Sequence, residues 1–451
     1  MNTLSGASIS ARLDRLPASR AIWMRVVLLS LGGFFEFYDI FFSGYIAPGL
    51  ARSHVLGPGG IASFIAAMFS GLFIGTALFG FVADRFGRRV IFTCSLLWYT
   101  VASIVMAFQH SAFGLDLWRF LGGIGVGVEL VTIDTYLAEL VPKQLRGRAF
   151  AYNQTIQFCS VPAAALLSWL LVPRAPLGLD GWRWVVLAGA AGAILVWWIR
   201  LRVPESPRWL AQHGRIAEAE EVLADLEHRI EAETGSTLEA PTATEAAAPR
   251  GTFREIWQPP YGRRTVMMVI FNLFQTVGYY GFSNWVPTLL ISRGIAVTSS
   301  LRYTFLIAIA APFGPLLAAG LADRIERKWL IVLAAFGIAF FGVLFGQFSV
   351  VPLLIALGIM VTLSANVLSF SSHAYQAELY PTRIRALAVG FTYSWSRFSV
   401  IFSSFAIAFF LRGFGVPGVF AFIAGSMGVV ILSISLLGPK TNNLALESIS
   451  A

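Results

Sequence analysis

Apolar stretches of about twenty or more residues, separated by polar loops, follow one another along most of the chain. A helix of about 20 apolar residues crosses the roughly 30 Å of hydrocarbon in a bilayer, because each residue adds about 1.5 Å. The pattern therefore predicts twelve transmembrane helices, six on each side of a polar central stretch. These predicted spans, numbered 1 to 12, cover residues 22–47, 61–83, 89–109, 115–140, 149–173, 182–201, 264–290, 300–322, 329–348, 352–378, 387–411 and 417–438.

The polar central stretch divides the chain into two halves. Residues 206–233 have the helical spacing and the acidic face of surface helices. Residues 234–250 are rich in Thr, Ala, Pro and Glu, a composition that favours a flexible linker. We therefore expect five regions, which are a cytoplasmic tail (1–21), a six-helix bundle (22–201), a cytoplasmic loop (202–263), a second six-helix bundle (264–438) and a second cytoplasmic tail (439–451).

Two short motifs occur once in each half at the same separation. The sequence ADRFGRR at residues 83–89 recurs as ADRIERK at 322–328, and AELVP at 138–142 recurs as AELYP at 377–381, both 239 residues later. A shared offset predicts duplicated units related by an axis along the membrane normal. The predicted fold class is an all-α membrane protein with twelve transmembrane helices in two six-helix pseudo-symmetric bundles.

Composition and charge agree with a membrane location and indicate an orientation. Hydrophobic residues make up 57% of the chain and charged residues 13%, which excludes an ordinary soluble domain. With both termini in the cytoplasm, that side carries 25 of the 33 basic residues and the outer loops carry six. Positive loops resist translocation, so we predict a multi-pass protein of the cell (inner) membrane with both termini cytoplasmic. The net charge of +9 is then a topology signal, and no nucleic-acid partner is expected.

The repeated loop motif and the sequence of span 4 resemble the major facilitator superfamily. The stretch GFVADRFGRR at residues 80–89 is similar to the superfamily's signature between helices 2 and 3, although the second copy departs from it at Ala319 and Glu326. The stretches RFLGGIGVG at 119–127, YLAELVP at 136–142 and PESPRWL at 204–210 resemble the sugar-porter and organic-ion branches. The resemblance implies a monomeric secondary transporter, not an enzyme, that works by alternating access without a cofactor. Its partners are then the lipid bilayer, a small-molecule substrate and protons.

Charged residues cluster in these motifs at the predicted cytoplasmic ends of the spans. Carboxylates there can cap helix ends while arginines hold the cytoplasmic side through charge-assisted hydrogen bonds, which would latch one conformation. The alternative is a loop that is merely positive inside. The predicted cytoplasmic gate comprises Asp84, Arg85, Arg88, Arg89, Glu139, Arg146, Glu205, Arg208, Asp323, Arg324, Glu378, Arg383 and Arg385.

Ionisable residues inside a membrane are costly and indicate function. Asp39 in span 1 and Arg119 in span 4 match the aspartate and arginine that pair in proton-coupled sugar porters, so this pair is the first candidate for a proton switch. The alternative is a permanent structural ion pair. Glu129 in span 4 is the second candidate for the proton site, and Glu36, three residues before Asp39 and therefore on the same helix face, is the third.

Arg397 is expected near the middle of span 11, where an unpaired guanidinium is unfavourable. Its spacing from Arg385 matches organic-anion transporters, which implies that Arg397 binds a substrate carboxylate. The alternative is an arginine paired with an acid of the first half, such as Glu129. Further candidates for the substrate pocket are Asn153, Gln154, Gln275, Tyr279, Tyr280 and Trp285. His373 could relay a proton but is more simply explained by a hydrogen bond within the bundle.

The predicted function is proton-coupled symport of a small organic anion, a carboxylate such as an aromatic acid. A sugar or polyol symporter is the first alternative, favoured by spans 4 and 5. It is opposed by span 7, where the sequence FQTVGYYG at 274–281 has aromatic residues in place of the sugar-porter amides. Proton-driven drug efflux, a non-transporting sensor and a membrane enzyme are further alternatives. No nucleophile motif, phosphate-binding loop or metal-ligand cluster is recognisable.

Overall fold

The computed structural model describes residues 9–57, 59–200, 203–241, 251–322 and 324–441, and for residues 78–84, 199–200, 322, 382 and 386 the backbone alone. The first half contains α1 (Arg20–Arg52), α2 (Gly60–Phe86), α3 (Arg88–Ala107), α4 (Ala112–Leu140), α5 (Arg146–Phe158), α6 (Ser160–Leu171) and α7 (Gly181–Arg200). The central segment contains α8 (Pro207–Gln212) and α9 (Ile216–Thr234). The second half contains α10 (Tyr261–Ser283), α11 (Val286–Ile291), α12 (Val297–Ala308), α13 (Phe313–Ala322), α14 (Arg327–Gln347), α15 (Val351–Glu378) and α16 (Thr382–Leu437).

The observed helices follow the predicted spans, with three of them broken and two of them joined. Spans 5, 7 and 8 are each built from two consecutive helices, namely α5 with α6, α10 with α11, and α12 with α13. Spans 11 and 12 run together as α16, and the chain reverses at Gly415, whose φ of +66° suits a residue without a Cβ. Ten of the described segments are long and apolar enough to cross a membrane, and the segment containing α16 has the length of two spans.

The two halves repeat the same contacts, as the sequence repeat predicts. At one end of each half an arginine at the start of a helix pairs with the glutamate of the AEL motif, and two further hydrogen bonds are repeated. The equivalent contacts, 239 residues apart in their donors, are Arg88–Glu139 with Arg327–Glu378, Arg146 Nε to the Val141 carbonyl with Arg385 Nε to the Tyr380 carbonyl, and the Tyr136 hydroxyl to the Pro204 carbonyl with the Tyr375 hydroxyl to the Pro439 carbonyl. The fold is the predicted pair of pseudo-symmetric six-helix bundles.

We call the end of the molecule that carries these contacts the inner end and the opposite end the outer end. Helix α1 begins at the inner end, where the Ser19 hydroxyl accepts from the Ile22 N–H, and runs to the outer end at Arg52. The sequence predicts that the inner end faces the cytoplasm.

The amino-terminal segment packs against the inner end of the first half. Ile9, Leu13 and Leu16 are buried in a cluster with apolar residues of α9 and of the end of α4. Arg12 and Arg15 both contact the Glu227 carboxylate at 2.6 Å. Burial alone would raise the pKa of Glu227, but the hydrogen bonds from the two arginines outweigh it and lower the pKa. The predicted tail is therefore docked onto the bundle from residue 9 onwards.

Candidate functional site

Asp39 and Arg119 form an ion pair inside the first half. Arg119 Nη1 lies 2.7 Å from Asp39 Oδ2, and the Ser103 hydroxyl donates to Asp39 Oδ1 at 3.0 Å. The guanidinium also donates to the Asp39 carbonyl and to the Ser43 hydroxyl, and its Cζ lies 4.5 Å from the centre of the Phe42 ring. Both charged side chains are almost completely buried. Each charge of such a buried pair compensates the other, so removal of either side chain would leave one buried charge without a counterion.

Arg397 lies where the two halves meet, among aromatic side chains. Its Nη2 donates to the Tyr393 hydroxyl at 2.9 Å, and its Cζ lies 4.6 Å from the centre of the same ring. Tyr280 of α10 interacts electrostatically with the guanidinium. The guanidinium is 3% exposed, and among the described residues its Nε has no hydrogen-bond partner. Arg397 therefore keeps one donor available in a buried site.

Glu36 and Asp39 serve different partners, although the sequence predicted a shared helix face. Side chains three residues apart on a helix point in directions that differ by about 60°, which is enough for them to contact different partners. Asp39 turns into the first half towards Arg119, whereas Glu36 is fully buried and interacts electrostatically with Tyr280 and Arg397 of the second half. Glu36 thus contributes a first-half negative charge near Arg397, and Glu129 is fully buried in α4.

Asp134 is a second acid that acts electrostatically on Arg397, and it is not among the residues predicted from the sequence. It lies in α4, six residues before the helix ends at Leu140. Its charge interacts with that of Arg397, and its side chain is solvent-exposed although the helix crosses the membrane. The signal was present in the sequence, because Asp134 lies within the predicted span 4.

Four of the predicted pocket residues lie in α10 or just after its end. The Tyr279 hydroxyl donates to Asn366 Oδ1 at 3.1 Å, and both residues line a cavity of about 20 Å³. The Tyr280 ring packs edge-on against Phe69 of α2 at 4.7 Å between ring centres. Asn366 of α15 has no counterpart among the residues singled out from the sequence. Gln275 and Trp285 are buried in α10 and directly before α11, respectively.

Among the described residues, two amide side chains of α5 have atoms without a hydrogen-bond partner, whereas His373 contacts a carbonyl of its own helix. Asn153 is fully buried, and within the described chain neither its Oδ1 nor its Nδ2 has a hydrogen-bond partner; the same holds for Gln154 Oε1. Unpaired buried polar atoms are rare in folded proteins, so these amides are candidates for contact with water or with cargo. The His373 ring nitrogen Nδ1 lies 2.6 Å from the Ser369 carbonyl one turn earlier, and its ring packs against Tyr393.

The outer ends of the two halves are in contact. Gly44 of α1 lies so close to α10 that a Cβ at this position would come within 2.1 Å of the Asn284 carbonyl oxygen. Nearby, the rings of Trp169 in α6 and Phe305 in α12 are stacked with their centres 5.8 Å apart. The two halves therefore pack against each other at their outer ends, while Asp134 is exposed nearer the inner end.

Comparison with known proteins agrees with this architecture. The family model described as "Sugar (and other) transporter" matches residues 26–451. The chain belongs to this family of the major facilitator superfamily. It is 33% identical to a Bacillus subtilis protein whose name assigns it provisionally to metabolite transport, covering 98% of this chain and 97% of that protein. It is 28% identical to the niacin transporter of Acinetobacter baylyi, covering 97% and 99%.

A solved structure of the Escherichia coli xylose transporter matches the fold with a TM-score of 0.75 and 20% identity, over 95% of this chain and all of that one. The protein is thus a multi-pass membrane transporter of small molecules and not an enzyme.

The charged residues at the inner end of this transporter pair mainly within each half. In the first half Arg88 Nη2 contacts Glu139 at 3.1 Å, and Glu205 accepts from the backbone N–H groups of Arg88 and Arg89 at 3.1 and 3.2 Å. Glu205 therefore caps the start of α3, where a helix favours an anion. Arg85 is exposed beside Phe86.

Arg146 and Arg208 have a partner that the sequence did not suggest. Asp14 of the amino-terminal segment contacts Arg208 at 2.7 Å and Arg146 at 3.8 Å. In the second half Arg327 pairs with Glu378, Arg383 lies 3.2 Å from Glu255, Arg385 donates to the Tyr380 carbonyl, and Arg324 is exposed. The side chains of Asp84 and Asp323 lie outside the described residues.

The Gly44 contact gives a test of alternating access in this transporter. Replacing Gly44 by valine puts a side chain into the Asn284 backbone, so the outer end cannot close, and we expect uptake to fall at least about tenfold, the effect of roughly 1.4 kcal/mol. Uptake into proteoliposomes, normalised to the amount of folded protein, measures the loss. Gly44→Ala should give a smaller defect. Gly57→Val is the control, because a Cβ there meets nothing within 4 Å. Normal uptake by Gly44→Val would show that this contact is dispensable.

Proposed function

We propose that the protein is a proton-coupled symporter of a small organic anion, a carboxylate with an aromatic or other apolar body. It works as a monomer in the cell membrane with both termini in the cytoplasm, and alternating access moves the anion inward. The observation that carries the proposal is the buried Arg397 guanidinium between the two halves, which has an available Nε donor and aromatic neighbours.

The chemistry around Arg397 suits a carboxylate better than a neutral cargo. A guanidinium is planar and presents parallel N–H donors that match the two oxygens of a carboxylate. Tyr280, which is half-buried, adds a ring surface on which a flat apolar body can stack. The niacin transporter among the relatives is named for an aromatic acid, which supports this cargo class.

The Asp39–Arg119 pair is our first choice for the proton switch. The carboxylate is stabilised in its charged form by the guanidinium, and weakening of that contact during rocking would favour the protonated form. Proton uptake would then compensate buried charge while the loaded carrier reorients. Glu36 and Glu129 remain the second-line candidates. In the alternative, the pair never separates and only holds α1 against α4.

A sugar or polyol is the second candidate cargo. Within the described part of the chain, buried atoms of the Asn153 and Gln154 amides have no hydrogen-bond partner, and amides are well suited to bind hydroxyl groups. The same atoms could equally hold polar substituents of an aromatic acid. Transport measurements must therefore decide between the two classes.

A panel of substrates in proteoliposomes tests the proposal. Purified protein is reconstituted, an inside-alkaline pH gradient is imposed, and uptake of radiolabelled nicotinate, benzoate, succinate, nicotinamide and xylose is compared. We expect gradient-dependent uptake of the aromatic acids and little uptake of nicotinamide, which has the same ring without the carboxylate. Uptake of xylose without uptake of any acid would reverse the choice of cargo.

A further inference from the structure

We propose that a groove between α2 and α16, at the outer end of the molecule, binds one anionic phospholipid. The phosphate of this lipid contacts the Arg412 guanidinium, and an acyl chain lies along the apolar wall of the groove. The bound lipid connects the two halves and favours the arrangement in which the outer end is closed. The site is separate from the Arg397 centre and does not depend on the identity of the cargo.

Both halves of the protein form the groove, which has a volume of about 470 Å³. Gly59, directly before α2, and Ala62 in its first turn form one wall, and the part of α16 before its reversal forms the other. A Cβ at Gly59 would collide with Arg412 Nη2, so the guanidinium lies against the backbone of the first half. Deeper in the membrane, the rings of Phe73 in α2 and Phe398 in α16 have their centres 6.0 Å apart. The groove thus lies at a contact between the two halves.

The α16 wall of the groove has the polarity of a phospholipid. Phe405, Phe409 and Arg412 are spaced four and three residues apart, so they follow one face of the helix. The two phenylalanines are 49% and 65% exposed at the side of a protein that is surrounded by lipid. Arg412 lies three residues before the reversal at Gly415, where the helix end meets the headgroups. The face is therefore apolar over about 10 Å and ends in a cation, which matches an acyl chain below a phosphate.

The positive charge of Arg412 is available to a ligand. Among the described residues, no acid forms an ion pair with it. Phosphate oxygens accept charge-assisted hydrogen bonds from a guanidinium, and these are stronger than bonds between neutral groups. Phosphatidylglycerol keeps its negative charge, whereas the phosphate of phosphatidylcholine is paired with the ammonium of the same headgroup. The site therefore favours an anionic lipid, and a free phosphate would leave the phenylalanine wall uncovered.

The groove has this shape only while the outer ends of the two halves are together. The structure has that arrangement, with Gly44 packed against Asn284. Opening of the outer end moves α2 away from α16, so Gly59 separates from Arg412 and the two walls of the groove part. A ligand that binds one conformation more tightly shifts the population towards that conformation. An anionic lipid in the groove therefore favours the outer-closed conformation.

Lipid titrations followed by native mass spectrometry test the site. Protein in detergent is mixed with increasing phosphatidylglycerol, and the fraction that carries one lipid is measured. We expect Arg412→Gln to require about tenfold more lipid, because a charge-assisted hydrogen bond is lost. Gly413→Leu should have a similar effect with Arg412 intact. Gly413 lines the groove and a Cβ there meets nothing within 4 Å, so the leucine enters the groove without displacing protein atoms. Phosphatidylcholine should bind the wild type about fivefold more weakly than phosphatidylglycerol.

Two matched variants control for general effects on lipid binding. Arg302→Gln removes an exposed arginine elsewhere at the outer end, and Gly425→Leu adds the same side chain at another exposed glycine of α16 with free space around it. Both should bind phosphatidylglycerol as the wild type does. Wild-type affinity in Arg412→Gln and Gly413→Leu would overturn the proposal, as would equal binding of the two lipids. Displacement of the lipid by equimolar glycerol phosphate would also overturn it in favour of a water-borne anion, and a lipid-free dimer that Gly413→Leu dissociates would do so in favour of a second copy of the chain.

Distance measurements test the effect on the conformation. Spin labels are attached after Ala175→Cys and Thr298→Cys, two exposed outer-end positions in different halves, in protein whose Cys94 and Cys159 are replaced by serine. In nanodiscs, exchanging part of the phosphatidylcholine for phosphatidylglycerol should raise the ratio of outer-closed to outer-open molecules about fivefold. Arg412→Gln should remove this response. An equal response in Arg412→Gln, or a shift of the wild type towards the outer-open form, would contradict the role of the lipid in closure.

Discussion

Replacing Arg397 by lysine is expected to lower kcat/KM for nicotinate uptake roughly 10- to 100-fold. A lysine keeps the positive charge but presents a single ammonium, so one of two charge-assisted hydrogen bonds to the carboxylate is lost, at a cost of about 1.5–3 kcal/mol. Arg397→Gln removes the charge as well and should abolish measurable uptake. The initial rate of radiolabelled nicotinate entry into proteoliposomes, over a range of concentrations, measures both effects.

The controls separate a recognition defect from misfolding. Arg302→Lys makes the same substitution at an exposed position near the outer end and should leave uptake unchanged. Thermal stability in detergent shows whether the Arg397 variants are folded, since the ring contact with Tyr393 is also altered. Wild-type kinetics in Arg397→Lys would count against carboxylate recognition at this residue, and the sugar alternative would then take precedence.

Asp39→Asn is expected to abolish uptake driven by a pH gradient, by about 100-fold or more, while exchange of nicotinate across the membrane persists within about threefold. Asparagine resembles the protonated aspartate, so the loaded carrier can still reorient, but the release of a proton that normally precedes the return of the empty carrier is lost. Uptake with and without the gradient, followed by exchange at equal concentrations on both sides, distinguishes the two activities.

Structural damage is the competing explanation for such a loss. Removing one partner of a buried ion pair costs about 3–5 kcal/mol, because the other charge is left behind. Arg119 would, however, keep its hydrogen bonds to the Ser43 hydroxyl and the carbonyl of residue 39. Ser103→Ala removes one hydrogen bond to Asp39 and leaves the charge, so driven uptake should survive. Loss of exchange and folding together in Asp39→Asn would indicate a permanent structural pair. An intact response to the gradient would exclude Asp39 as the proton site.

Affinity provides a further check on Asp39. Its side chain is enclosed by α1, α3 and α4 within the first half, so its neutralisation should leave nicotinate affinity unchanged.

Much of the fold could be predicted because hydropathy directly reflects which segments are surrounded by lipid. The repeat motifs also predicted equivalent contacts correctly, since Arg88 with Glu139 and Arg327 with Glu378 lie at matching helix ends. The breaks within spans 5, 7 and 8 were not predicted, because a single interrupted turn hardly changes the hydrophobic pattern. The linker predicted for residues 234–250 lies partly outside the described residues.

The candidate site was harder to predict, because a sequence gives the depth of a residue in the membrane and not the direction in which it points. Asp39 and Arg119 were paired by resemblance to proton-coupled sugar porters. The sequence placed Glu36 within the predicted span 1, and its side chain is buried. The direction in which that side chain points depends on how α1 is rotated relative to α16, which lies more than three hundred residues away in the chain. Asp14 was not predicted for a similar reason. The sequence does not show that Arg146 and Arg208, near the starts of two helices far apart in the chain, both contact the amino-terminal segment.

The docked amino-terminal segment also has a consequence for biosynthesis. The partner of Arg12, Glu227, is synthesised 215 residues after it. At about 5–20 residues per second, the segment waits roughly 10–40 s before its binding surface exists. The first half therefore completes its inner end only after translation has passed α9, and the nascent chain must keep Ile9, Leu13 and Leu16 from misassociating during that interval.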